Sequence, residues 1–277
     1  MRATSYAIGG AFVLLAIGCG PSSRPGNGGG DDDGVDASPP AIDAPTGDNT
    51  GTTYVYAHSS STLYKIDPDT LAVTMVGNFG WPNGFDQMTD LAIDRNGQLI
   101  GISFGSVYRV DPNTAQATLL SSNLSGEFNG LSFVPADMLG QTGDDILIAT
   151  RNSDGNVFRI DPMTGAATQV GDMGSQFQSS GDLVAVEGFG TVQTTLGAPF
   201  DMLSKLAPIT FHAMPAPQST GFGQIWGVAY WKGKVFGFTQ SGQFVTIDPQ
   251  TGQGTVVQSN GPEWWGAAVT TIAPILQ

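Results

Sequence analysis

From Thr53 onward, apolar and polar residues alternate in short runs that are broken by Gly, Asn-Gly or Asp-Pro. Period-two alternation over so few positions predicts strands, and the breaks predict tight turns. Asp90-Leu91-Ala92-Ile93-Asp94 is one such run, and Arg95-Asn96-Gly97 turns the chain, with Gly97 supplying the positive φ of a hairpin. Leu99 to Phe104 returns as a mostly apolar strand, and Ser106 to Val110 alternates. Asp111-Pro112-Asn113-Thr114 turns again, and Gln116 to Leu120 supplies a fourth strand.

The unit recurs five times. Leu63-Tyr64-Lys65-Ile66-Asp67-Pro68 is echoed by Val107-Tyr108-Arg109-Val110-Asp111-Pro112 and by Val157-Phe158-Arg159-Ile160-Asp161-Pro162. Leu203-Ser204-Lys205-Leu206-Ala207-Pro208 and Phe244-Val245-Thr246-Ile247-Asp248-Pro249 complete the set. Successive prolines stand 44, 50, 46 and 41 residues apart. A strand-built repeat of that length predicts a β-propeller, one four-stranded blade per repeat. Thr53 to His58 reads as a second strand with no first before it, and Trp265 to Thr271 as a first strand with no second after it. The expected fold is therefore all-β, a five-bladed β-propeller over residues 53–277, closed by N- and C-terminal strands that share one blade. The repeats resemble the broad propeller class with Tyr-x-Ile-Asp-Pro-x-Thr-Gly units found in many secreted bacterial proteins. That resemblance bears on fold far more than on function.

The Asp-Pro-x-Thr step has a local cause. Asp accepts from backbone N–H groups two residues on, and Pro presets φ for a type I turn. Asp67, Asp111, Asp161 and Asp248 are thus read as turn residues and not as a catalytic set. Gly165 and Gly252 follow two of these turns, whereas Leu71 and Ala115 hold the same place in the first two units. The expectation is that no left-handed conformation is needed there. In the fourth unit Ala207 replaces the aspartate, and Pro199, Pro208, Pro215 and Pro217 crowd the flanks. Lacking an N–H, they belong at turns and on an outer edge.

Residues 1–18 carry a short positive start and an apolar run too short to span a membrane and stay there, and are read as a signal peptide. Leu15-Ala16-Ile17-Gly18-Cys19 resembles a bacterial lipoprotein signal, which implies lipidation of Cys19; Ala16 stands where such signals usually carry Leu. Cys19 is the only cysteine, so the fold has no internal disulfide. Residues 19–52 are rich in Gly, Pro, Ser and Asp and are read as a disordered tether. By resemblance to lipoprotein sorting, Gly20 after the cysteine implies the outer membrane of a bacterial cell envelope, facing the periplasm or the surface. The net charge of −14 disfavours nucleic acid and anionic membrane surfaces, so the membrane contact is expected through the lipid alone.

Candidate chemistry lies where the chain enters the innermost strands. Aligning those five segments puts Thr89, Asn129, Trp226 and Trp265 in one column and Asp90 and Asp182 in the next, with Gly130, Gly227 and Gly266 sharing the second. Trp226 and Trp265 offer flat apolar faces, and Asp90, Asn129, Asp182 and Gln224 offer hydrogen bonds, a combination suited to a sugar or another small polar ligand. The same residues have a purely structural use, with the carboxylates binding backbone groups and the tryptophans packing between blades. Some five-bladed propellers are glycosidases; that resemblance makes Asp90 and Asp182 candidate catalytic carboxylates, although no glycosidase motif accompanies them. His58 and His212 lie in separate units without metal-ligand spacing, and no metal or cofactor is implied. The reading is a cell-envelope lipoprotein whose propeller binds a carbohydrate, small polar ligand or envelope protein without catalysis. The alternatives are a polysaccharide hydrolase and an assembly scaffold without a pocket, the latter using exposed aromatics such as Trp231.

Overall fold

A computed structural model describes residues 55–151 and 154–276 of the chain; the segments read as signal peptide, lipidated Cys19 and tether lie outside the described residues. Five four-stranded antiparallel sheets form a ring. Blade 2 contains β4 (Asp90–Ile93), β5 (Leu99–Ile102), β6 (Val107–Val110) and β7 (Ala117–Ser121), as the alternation predicts. Blade 3 contains β8 (Gly130–Val134), β9 (Ile146–Thr150), β10 (Asn156–Ile160) and β11 (Ala167–Asp172). Blade 4 contains β12 (Ser179–Val186), β13 (Gly190–Thr195), β14 (Met202–Leu206) and β15 (Ala213–Ser219). Blade 5 contains β16 (Ile225–Trp231), β17 (Lys234–Thr239), β18 (Phe244–Ile247) and β19 (Gly254–Gln258). Blade 1 joins β1 (Val55–His58), β2 (Thr62–Ile66) and β3 (Val73–Asn78) to β20 (Gly266–Ala268). Its closing register is Tyr56↔Ala268, Ala57↔Ala267 and His58↔Gly266. The architecture is a five-bladed β-propeller.

Inner strands read as continuous apolar runs because both faces of a blade are covered. In β9, Leu147 and Ala149 pack toward blade 2 with Ile100, Ile102 and Leu131, while Ile146 and Ile148 pack toward blade 4 with Leu183 and Leu206. Successive side chains of a strand point to opposite faces, so the core is divided into clusters wedged between neighbouring blades. The outer strands β3, β11 and β19 are largely exposed. In every blade a register irregularity interrupts the pairing of the third and fourth strands. Such bulges add local twist at a sheet edge, where it lets the outermost strand swing away from the blade plane.

The repeated turn is built from the same bonds each time. Asp67 Oδ1 accepts from the N–H groups of Asp69 and Thr70, and Asp111, Asp161 and Asp248 do likewise for their second and third followers. The turn closes through an N–H from the fourth follower to the aspartate carbonyl, as from Leu71 to Asp67 at 2.7 Å. That fourth residue is left-handed in all five units: φ is 63° at Leu71, 59° at Ala115, 73° at Gly165, 62° at Phe211 and 86° at Gly252. The expectation that Leu71 and Ala115 escape this conformation is therefore overturned; the closing bond requires it whatever the side chain. In blade 4, Ala207 supplies no carboxylate, and Thr210 N–H instead binds Pro208 O around Ile209, whose φ is 68°. This is a γ-turn of the strained kind. Pro215 and Pro217 lie in β15, the outer strand of that blade, as their missing donors require.

Trp231, expected to be exposed, is buried at 8%. It closes β16, and its indole N–H donates to Asp69 Oδ1 of blade 1 at 3.0 Å, beside an ion pair from Lys232 to the same carboxylate at 2.7 Å. The residue ties two blades together. Among the described residues no helix is long and apolar enough to cross a membrane.

Candidate functional site

The five innermost strands, β4, β8, β12, β16 and β20, stand side by side around the axis. The residues leading into them stack as three rings by position: Gln87, Glu127, Ser179, Gln224 and Glu263 outermost, then Thr89, Asn129, Gly181, Trp226 and Trp265, then Asp90, Gly130, Asp182, Gly227 and Gly266. Only two of the deepest five carry side chains. A Cβ on Gly130 would meet Thr150 Oγ1 and Gly181 O, one on Gly227 would meet the Gly266 backbone, and one on Gly266 would meet both Asp90 Oδ1 and His58 Nε2. The axis at this level is filled by two carboxyl groups.

Asp182 is wholly buried. Its Oδ1 accepts from Leu183 N–H at 2.6 Å and Leu131 N–H at 3.4 Å, and its Oδ2 from Val228 N–H at 2.8 Å. One carboxyl thus joins the inner strands of blades 3, 4 and 5. Asp90, equally buried, accepts from Leu91 N–H at 2.8 Å. Burial pushes Asp182 up to about 8 against the opposing hydrogen bonds. Asp90 is raised well above the carboxylate range, by burial first and then by the neighbouring Asp182 charge. Two carboxyls in one dry site resist ionising together, and Asp90, with fewer N–H donors, holds its proton the more firmly. Asp90 Oδ2 is buried without a hydrogen-bond partner.

His58 ends β1 with its ring in the same layer, Nε2 lying 3.8 Å from Asp90 Oδ1. Burial lowers its pKa to about 4, only partly offset by the bond from Nδ1 to Ser59 O at 2.9 Å. A neutral imidazole facing a protonated carboxyl is no ion pair. With the proton on Nδ1, Nε2 is an acceptor without a donor.

Above this layer the tryptophans stand at the mouth. Trp226 and Trp265, both half-buried, meet edge to face with centroids 6.1 Å apart and planes at 87°, forming a corner of two aromatic walls. Trp264, next in sequence, turns the other way and packs in the core against Tyr64 and Phe238. Gln224 is exposed and donates to Gln240 Oε1 at 2.6 Å; Gln240 in turn donates to Glu263 Oε1 at 2.8 Å. Asn129 is half-buried, and its Oδ1 is buried without a donor. The six predicted residues therefore separate into a mouth layer of Asn129, Gln224, Trp226 and Trp265 and a sealed layer of Asp90 and Asp182.

The other end of the axis is crossed by residues 269–275. Thr270 Oγ1 donates to Asp94 O at 3.0 Å in blade 2, and Thr271 Oγ1 to Asp145 Oδ2 at 2.6 Å in blade 3. Glu187 N–H of blade 4 donates to Thr271 O at 2.8 Å, and Lys232 N–H of blade 5 to Pro274 O at 3.0 Å. Arg95 clamps Asp145 from blade 2, with guanidinium contacts at 2.8 and 2.7 Å. Desolvation raises Asp145, but the bonds from Arg95 and Thr271 outweigh it and hold the carboxyl below its usual range.

Three features escaped the sequence reading. The alternation marks His58 only as a strand end. Gln193, fully buried in β13, donates to Ser179 Oγ at 2.8 Å and accepts from Thr150 at 3.3 Å; its signal was a polar run, Thr191 to Thr195, where other second strands are apolar. The third is the set of exposed apolar residues Phe85, Phe104, Leu196 and Phe200 on loops at the mouth end.

No family model and no curated protein matches the chain. Among solved structures it is similar to one from work on the de novo evolutionary emergence of a symmetrical protein shaped by folding constraints, at 17% identity and a TM-score of 0.51, covering 81% of this chain and 100% of that one. It is also similar to a chain of a nidogen/laminin complex, at 8% identity and a TM-score of 0.52, covering 78% of this chain and 98% of that one. At such identities the likeness concerns the fold alone.

Proposed function

We propose that this propeller is a non-catalytic binding module of the cell envelope, taking a carbohydrate or other small polar ligand at its axial mouth. The observation that carries the reading is the Trp226–Trp265 corner above a blocked axis. Two half-buried aromatic walls set at right angles beside Gln224, Asn129 and Glu263 give a ligand apolar faces to stack on and polar groups to orient it. Hydrolysis is less well supported by the geometry. Asp90 and Asp182 are closed off from solvent and bound by backbone N–H groups, whereas a glycosidase needs two carboxyls flanking an accessible bond.

In this reading Cys19 carries a lipid that holds the protein at the outer membrane, and residues 20–52 are the tether. Cys19→Ser tests it: the variant moves to the soluble fraction, and unchanged membrane association rejects the anchor. The ligand reading is tested by a glycan array probed with the full chain and with Trp226→Ala/Trp265→Ala. Binding that disappears in the double variant supports the axial mouth, and binding that survives it rejects that site.

A further inference from the structure

The loops at the mouth end carry more acidic than basic side chains. Ten segments lie at the mouth end: five lead into the inner strands (79–89, 122–129, 173–178, 220–224 and 259–265), and five join second to third strands (59–61, 103–106, 196–201, 240–243 and, among the described residues, 151 with 154–155). They contain five acidic residues, Asp86, Glu127, Asp154, Asp201 and Glu263, and one basic residue, Arg151. Arg151 is already engaged, donating to Asp154 at 2.9 and 2.7 Å and lying 4.8 Å from the Phe158 ring centre. Nearest the axis, the outermost ring of side chains offers Glu127 and Glu263, both exposed, with no cation among them. Glu263 stands two residues before Trp265, and its carboxylate accepts from the neutral amide of Gln240. Below it, Asn129 Oδ1 is a buried acceptor that lacks a donor. The mouth is thus short of positive charge, and its walls are two indole rings.

We propose that the ligand of this mouth presents a positively charged organic amine, seated in the corner between Trp226 and Trp265 with Glu263 as counter-charge. This rests on the axial-mouth reading above and narrows its ligand class. Indole faces attract cations more strongly than other aromatic rings do, and a nearby carboxylate adds to that attraction where a neutral sugar would gain nothing from it. An ammonium also brings donors that the Glu263 carboxylate and Asn129 Oδ1 can accept. The amine can come from an amino sugar or from a lysine side chain.

Tryptophan fluorescence titration of the full chain separates these sources. The probes are a glucosamine tetramer and its N-acetylated form, and a lysine-containing tetrapeptide and its Nε-acetylated form. At least one amine probe binds about tenfold more tightly than its acetylated counterpart, and that preference shrinks as salt rises. Glu263→Gln, a change at an exposed position, weakens the amine probe about fivefold and leaves the melting temperature alone. Trp226→Phe retains more affinity than Trp226→Ala. Equal binding of an amine and its acetylated form, or indifference to Glu263→Gln, overturns the amine assignment and leaves the axial mouth standing. Failure of all four probes overturns it too; if the glycan array is also empty, the ligand reading of the mouth falls with it.

Discussion

Asp182 Oδ2 of β12 accepts the N–H of Val228 in β16, a neighbouring blade, at 2.8 Å. The bond lies wholly inside the ring, beside a second carboxyl that is equally dry. A carboxyl placed there gives three blades a common acceptor, and what it costs is the shift in its protonation. The axial carboxyls are therefore at once a structural stitch and a source of pH dependence.

The sign of that dependence follows from the shifts. Asp182 is raised from 3.8 to about 8, and Asp90 is raised as well. The fold keeps protons that the unfolded chain has released, so this stabilisation is complete below the unfolded pKa and is lost as pH rises through the folded one. His58 acts oppositely: lowered from 6.5 to about 4, it contributes stability that is present above 6.5 and lost as pH falls toward 4. Between pH 6.5 and 8 only the carboxyls of this trio titrate, so the melting temperature falls across that window. Asp90→Asn keeps the shape, supplies a donor to Asp182 and flattens the slope. An unchanged slope in this variant would place its origin elsewhere.

Gly266 has no room for a side chain. A Cβ there would meet Asp90 Oδ1 and His58 Nε2, both in wholly buried side chains that cannot swing into solvent. Overpacking at such a point costs about 1–3 kcal/mol. Gly266→Ala is expected to lower the melting temperature by several degrees, about 2–4 °C per kcal/mol in a domain of this size. A melting curve identical to the parent's would show that the axis is looser than the geometry describes.

The blades were legible because each repeat writes its own strands and turn, and local patterns determine local structure. The tryptophans could be found for the same reason, since aligning the entry segments brings Trp226 and Trp265 into one column. What the pattern could not convey was the partner of each residue. Asp182 binds N–H groups of Leu131 and Val228, far off in the chain, and every residue has such a group. The sequence could therefore offer backbone binding as one use of this carboxylate, but not which blades it would join. Leu71 and Ala115 misled because a left-handed residue is normally advertised by glycine, whereas here the backbone bond of the turn imposes it. Trp265 to Thr271 reads as one strand, yet β20 ends at Ala268, because the bonds of residues 269–275 run to the turns of four different blades.

Those residues hold the far end of the axis. Thr271 donates to Asp145, whose carboxylate also receives Arg95. Thr271→Val preserves volume but removes the donor, leaving a largely covered carboxylate short of a partner at a cost of about 1–3 kcal/mol. Thr271→Ser keeps the hydroxyl and is expected to retain most of the stability. Chemical denaturation compares the two, and equal losses would mean that the methyl group and not the hydrogen bond carries the contribution.

The fourth turn is the place where stability can be added. Ala207 offers no carboxylate, and its loop relies on a γ-turn at Ile209 with φ of 68°. The other four turns each supply two side-chain bonds from an aspartate to the second and third followers. Ala207→Asp gives blade 4 the same acceptor, and the N–H groups of Ile209 and Thr210 are the ones it would take. Adopting that geometry releases the γ-turn, because the Thr210 N–H leaves Pro208 O for the new carboxylate. Each such bond contributes about 0.5–1.5 kcal/mol net. The variant is expected to unfold at higher urea concentration with an unchanged denaturant slope, and a loss of stability would show that Pro208 and Ile209 lock the loop against the common turn.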